Sequence, residues 1–159
     1  MTHPIKIDGS ESILIPNSPL AALSAFYAAF NERDLAAMEQ NWLTTTSASM
    51  SNPVGGIKRG WDEIKTVYEK IFSGPATVYV CYHDFTIHES GDMFQAVGRE
   101  RGSFKLPDTE INLAIRTSRT FIRVAGDWRQ LHHHGSIDSP KLLERYQVAV
   151  LGEAIPTPN

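Results

Sequence analysis

Three consecutive histidines, His132, His133 and His134, follow a Trp128-Arg129 pair near the end of the chain. An unperturbed imidazole titrates near neutrality, so a histidine that faces a substrate is equipped for general acid or base work. On an extended segment side chains alternate, which sets His132 and His134 on one face and His133 on the other. Two imidazoles at that spacing share a metal only if a third ligand arrives from a neighbouring element. Glu100, His83 and His88 are the available third ligands, but no recognisable ligand spacing joins them, and no metal is expected. The plainer alternative makes the imidazoles hydrogen-bonded wall residues of a sheet.

Glu100 stands between Arg99 and Arg101 and points opposite to both on a strand. Facing a pocket, it would be the chain's best buried carboxylate for acid/base chemistry. The alternative is a cross-strand ion pair with Arg116 or Arg119 on the convex side of the sheet, because partly buried charges need partners. Arg119 and Arg123 share a face and Arg116 takes the other. An arginine at the base of an apolar pocket would favour a carboxylate ligand through paired hydrogen bonds. The single cysteine, Cys81, has no neighbour that marks a nucleophile and reads as a plain thiol. No phosphate loop, dinucleotide fingerprint or Gly-x-Ser-x-Gly elbow is present, so no cofactor is expected.

The elements that must position these groups are legible from periodicity. Ser18 caps a helix with Pro19 at its first position, and Leu20, Leu23, Phe26, Tyr27 and Phe30 recur at helical spacing. Asp34 caps a short second helix carrying Leu35, Met38 and Trp42. Residues 44–50 read as a short strand and residues 51–56 as a turn. After Gly60 a third helix places Trp61, Ile64, Val67, Tyr68 and Ile71 on one face. The period then changes to two, giving strands at about 76–89, 93–105, 109–123 and 128–136, joined by hairpin turns. Gly98 and Gly102 are candidate bulge positions for bending strands of this length. A final helix starts at Asp138-Ser139-Pro140 and runs to about 151.

Helices first and antiparallel strands later define an α+β fold: a curved antiparallel sheet wrapped around N-terminal helices, with an extra C-terminal helix. Helices lying across a bent sheet leave a concavity, so a pocket is expected there. The chain of 159 residues fits one domain. With a net charge of -3 and scattered basic residues, neither nucleic acid nor an anionic membrane is suggested as a partner. No signal-peptide pattern is visible, no stretch is apolar enough to span a bilayer, and the lone cysteine fits a reducing compartment. These features point to the cytoplasm.

Three segments carry a resemblance to a known family: FYAAFNERDLAAMEQNW at 26–42, NPVGGIKRGWDEIKTVYEKIF at 52–72 and WRQLHHHGS at 128–136, with GRERG at 98–102 between them. They resemble the nuclear-transport-factor-2-like superfamily and, within it, the SnoaL-like domains. The match spans about residues 18–137, leaving an arm at 1–17 and a C-terminal helix and tail at 138–159. The resemblance implies a cone-shaped fold, a pocket between helices and sheet, and a homodimer whose interface the last helix is placed to join. The superfamily includes isomerases, dehydratases, epoxide hydrolases, polyketide cyclases and non-catalytic assembly domains, so fold alone does not choose among them. Ketosteroid isomerase, a member, has an aspartate base directly before Pro-Val-Gly; here Asn52 precedes Pro53-Val54-Gly55, and an amide cannot take that role. The position matching that enzyme's oxyanion tyrosine is Phe26, which has no donor, and the adjacent Tyr27 points about 100° away around the helix.

The resulting expectation is a small-molecule-binding SnoaL-like protein, a cofactor-free acid/base lyase, isomerase or hydrolase in its catalytic form. His132, His134 and Glu100 are the candidate catalytic groups. Asn52, Trp42, Phe26, Tyr68, Arg116 and Arg119 are the candidate ligand contacts, for a small apolar or carboxylate-bearing ligand. The alternative is a non-catalytic ligand-binding or oligomerising domain, which resembles the association domain of the calcium/calmodulin-dependent kinase.

Overall fold

The structure, a computed structural model, describes residues 6–12 and 14–152. Residues 1–5 and 13 of the expected arm and residues 153–159 of the expected tail lie outside the described residues. The elements run β1 (Lys6–Ile7), α1 (Pro19–Asn31), α2 (Leu35–Asn41), β2 (Ser49–Ser51), β3 (Ile57–Arg59), α3 (Trp61–Ser73), β4 (Thr77–Ser90), β5 (Met93–Leu106), β6 (Thr109–Val124), β7 (Asp127–Ser136) and α4 (Pro140–Leu151). One unclosed, curved sheet orders its strands β1-β4-β5-β6-β7-β2-β3. All neighbours pair antiparallel except β2 and β7, which are parallel. Among the described residues no helix is long and apolar enough to cross a membrane.

The helix starts follow from their caps. Ser18, Asp34 and Ser139 each accept a hydrogen bond from the backbone N–H three residues on, and Pro19 and Pro140 occupy positions where no donor is needed. The four long strands fall within a few residues of their expected positions. The segment expected as a strand at 44–50 is extended only at Ser49–Ser51, and its phase is set by parallel pairing with the histidine run. Part of the expected arm is β1, which adds an edge strand to β4 and buries Ile7.

The sheet bends at irregularities of register rather than at the two glycines themselves. One lies on β4 between His83 and Thr86, where Asp84 has a φ of 49°. Gly98 lies opposite and makes room for it: a Cβ there would stand 2.6 Å from the Phe85 Cβ and 3.0 Å from the Tyr82 ring. A Cβ at Gly102 would meet the Tyr79 carbonyl oxygen. The second irregularity lies between β6 and β7. Phe121 pairs with Gln130 and Thr120 with His132, so Leu131 is the extra residue.

The core fills the concave side. Leu23, Phe26 and Tyr27 of α1, Trp61, Ile64 and Tyr68 of α3, and Tyr82, Phe94, Ile115 and Phe121 of the sheet are all buried there. On the outer face of β4 and β5, Tyr79, Met93 and Val97 remain exposed.

Candidate functional site

The extra residue in β7 decides which histidine faces inward. Trp128 and Gln130 are buried, and unbroken alternation from them would carry His132 and His134 inward as well. Leu131 shifts the phase by one, so His133 and Gly135 take the inner face. This places His132 and His134, the histidines expected to supply the chemistry, off the inner face. His132 is partly buried on the outer side, its Nδ1 2.7 Å from the Ser49 Oγ, and His134 is exposed. Among the described residues no three His, Cys, Asp or Glu side chains are grouped to hold a metal ion.

Glu100 does face inward, and so does Arg119. Both expectations for Glu100 are joined, since its ion-pair partner is Arg119 but the pair lies inside the cone rather than on the convex side. The Arg119 Nη2 donates to the Glu100 Oε1 at 2.7 Å, with side-chain exposures of 3% and 6%. Arg119 Nε donates to the Tyr27 hydroxyl at 3.1 Å and Nη1 to the Gln130 Oε1 at 2.8 Å. The Tyr27 hydroxyl in turn donates to the Glu100 Oε1 at 2.7 Å. Gln130 Nε2 donates to Asn41, whose own Nδ2 donates to the Ala22 carbonyl, so the network ties the sheet to α1 and α2. The Arg119 guanidinium lies 3.6 Å from the centre of the Phe26 ring.

The titrations follow from this burial. Burial holds the Tyr27 phenol well above the ordinary tyrosine range, so it keeps its proton and acts as a donor. Burial opposes the Arg119 charge, but Tyr27 and Glu100 beside it outweigh that, and the side chain stays cationic. His133, opposite Arg119 in register, is pushed well below the ordinary histidine range, first by burial and then by the Arg119 charge. Among the described residues its Nδ1 has no hydrogen-bond partner, nor has the buried Thr117 Oγ1 on the next strand.

A stability consequence of fixed sign follows. The unfolded chain protonates His133 near pH 6.5, while the folded chain keeps it neutral to well below that. Between those limits the unfolded state binds more protons, so stability falls as pH is lowered, by about 1.4 kcal/mol per pH unit from this group. His132, lowered chiefly by burial, adds to the same window, whereas Asp8, held at about 2 by hydrogen bonds from Ser10, acts only at more acid pH. The thermal midpoint is expected to drop between pH 7 and pH 5, and to drop less in His133→Gln, as followed by circular dichroism. Equal slopes in the two proteins would show that His133 is not buried neutral.

Beside this polar interior lies a cavity of about 460 Å³ between the 52–58 turn, α3, the adjoining ends of β4 and β5, and α4. Val54, Val67, Ile71, Val78, Phe104 and Leu106 line one side; Tyr146, Ala149, Val150 and Leu151 of α4 close the other. The last helix thus folds over its own chain's pocket. The Tyr146 ring packs edge-on against Phe104 with centres 5.7 Å apart, and Gln147 Nε2 donates to the Val54 carbonyl at 3.1 Å. The Tyr146 hydroxyl is pushed up to about 12, chiefly by burial and further by the Glu100 charge.

Of the expected ligand contacts, Asn52 lines this cavity. It also holds its own turn, accepting from Val54 N at 3.1 Å. Trp42, Phe26, Tyr68 and Arg119 are instead buried outside its lining, Trp42 Nε1 donating to the Tyr68 hydroxyl at 3.2 Å. Arg116 does not belong to the interior. It alternates with the inward Ile115 and Thr117, is 59% exposed and pairs with Asp138 at 2.8 Å. Tyr27, set aside on helical geometry, is the residue the sequence reading missed. Its signal was present, because α1 carries no charged residue and sets Leu23, Phe26 and Phe30 beside it.

An α+β cone whose sheet and helices enclose both a buried ionic cluster and an apolar cavity defines the class. The chain belongs to the SnoaL-like domain family, whose model matches residues 20–140. Its fold is shared by a candidate dehydratase of the NTF2-like family from Streptomyces avermitilis, at 20% identity and a TM-score of 0.67 over 73% of this chain and 90% of that one. The CaMKII hub of S. rosetta is similar at 17% identity and a TM-score of 0.65, covering 77% of this chain and 98% of that one. A Caulobacter vibrioides protein with a cystatin-like fold matches at 18% identity and a TM-score of 0.63, covering 81% and 93%. No curated protein matches the chain.

Proposed function

We propose that this SnoaL-like domain binds a small, largely apolar molecule in the cavity beneath α4. The observation that carries the reading is the cavity itself: about 460 Å³, walled mainly by aliphatic and aromatic side chains, and within the size range of small-molecule sites. Binding rather than turnover is the reading the geometry favours. The groups best suited to acid/base work, Glu100 and His133, sit outside the cavity lining, and the Glu100 Oε1 is already taken by Arg119 and Tyr27. The ionic cluster, outside that lining, then serves to tie the sheet to α1 and α2.

A titration with the neutral fluorophore N-phenylnaphthylamine tests this. The expected result is saturable enhancement of its emission with one site per chain and a micromolar Kd. Emission that rises without saturation, or not at all, contradicts the proposal.

A further inference from the structure

The cavity's walls are apolar, but its charged lining is one-sided. Lys58 and Lys70 line it, and among the described residues no aspartate or glutamate does. This is not a basic surface showing through, since the chain carries 18 acidic residues against 15 basic ones. Among the described residues neither lysine forms an ion pair, although six such pairs exist elsewhere. Asp62, Glu63 and Glu69 of α3 are exposed but lie outside the lining.

Lys58 is half-buried on β3 and Lys70 is exposed on α3, which places both ammonium groups towards the rim rather than the depth. Asn52 adds a third donor at the same cavity. Its Oδ1 is held by the Val54 N–H, while its Nδ2 makes no hydrogen bond within the described residues.

Resting on the binding reading above, we infer that the guest is a small monocarboxylic acid. Its apolar body lies under α4 and its carboxylate sits at the rim beside Lys58, Lys70 and Asn52. The division follows from the lining. Deep walls without charge reject a buried carboxylate, because an ion there would lose its hydration without a partner. Rim ammonium groups that form no ion pair among the described residues attract one that stays partly hydrated.

Displacement of N-phenylnaphthylamine by decanoate and by decanol, which share a chain length and differ in charge, tests the inference. The readout is the ratio of the two affinities. In the wild type at low salt decanoate is expected to bind about tenfold more tightly, the modest gain that exposed charges give. The ratio falls towards one at about 0.5 M salt and in Lys58→Gln/Lys70→Gln. Equal affinities in the wild type overturn the acid while leaving an apolar pocket in place, and a preference that survives both the salt and the double substitution overturns the seat of its carboxylate at Lys58 and Lys70. Failure of the fluorophore and of decanol to bind overturns the pocket itself, and the acid with it.

Discussion

Replacing Arg119 with methionine is expected to lower the free energy of unfolding by about 3–5 kcal/mol, the usual loss when one partner of a buried ion pair is removed. Methionine keeps much of the side-chain volume, so the loss reads the charge and its hydrogen bonds rather than a cavity. Three donors vanish together. Glu100 is left inside the cone with Tyr27 as its remaining partner, and Gln130 loses the donor to its Oε1. Arg119→Lys does not rescue the fold, because a single ammonium cannot reach Tyr27, Gln130 and Glu100 in the three directions the guanidinium serves. The double variant Glu100→Gln/Arg119→Met is expected to lie closer to the wild type, since no unpaired charge remains buried. Urea unfolding followed by circular dichroism measures each difference, with an unchanged m-value as the check that the same transition is observed. A loss below about 1 kcal/mol in Arg119→Met would mean that the cluster does not hold the interior together.

The second large effect concerns the pocket. Ala149 of α4 lines the cavity, while the adjacent Val148 is 49% exposed on the other side of the helix. Ala149→Trp puts an indole into the space a guest requires and is expected to weaken N-phenylnaphthylamine binding by at least about 100-fold. Val148→Trp adds the same ring to the same helix on the solvent side and leaves binding within about twofold of the wild type. Equal behaviour of the two variants would place the fluorophore elsewhere. Thermal unfolding of both proteins verifies that α4 remains docked through Gln147 and Tyr146.

The contrast between these residues shows what sequence carries and what it does not. The long strands announce themselves because fourteen to sixteen residues of period two leave no competing reading for β4, β5 and β6. The helix starts announce themselves through Ser18, Asp34 and Ser139, whose caps are local chemistry. β1 and β3, with two and three residues, are too short to show any period and exist only through their partners. The parallel contact of β2 with β7 spans more than eighty residues and has no local signature. In the candidate site, alternation correctly separated His133 from its neighbours but could not choose between them. One extra residue, Leu131, inverts the face of everything after it. Tyr27 was lost for the opposite reason. A helix enclosed by a cone buries a wider arc than a helix on a surface, so the 100° step from Phe26 to Tyr27 leaves both inside.

The sharpest test of a guest site beneath α4 is the nuclear magnetic resonance spectrum of the 15N-labelled chain recorded with and without N-phenylnaphthylamine. Shifts confined to residues 52–58, 66–78, 104–106 and 146–151 are the expected result, since these segments bound the cavity. Shifts centred instead on the outer strand face around Tyr79, Met93 and Val97, with the 146–151 amides unmoved, would contradict it.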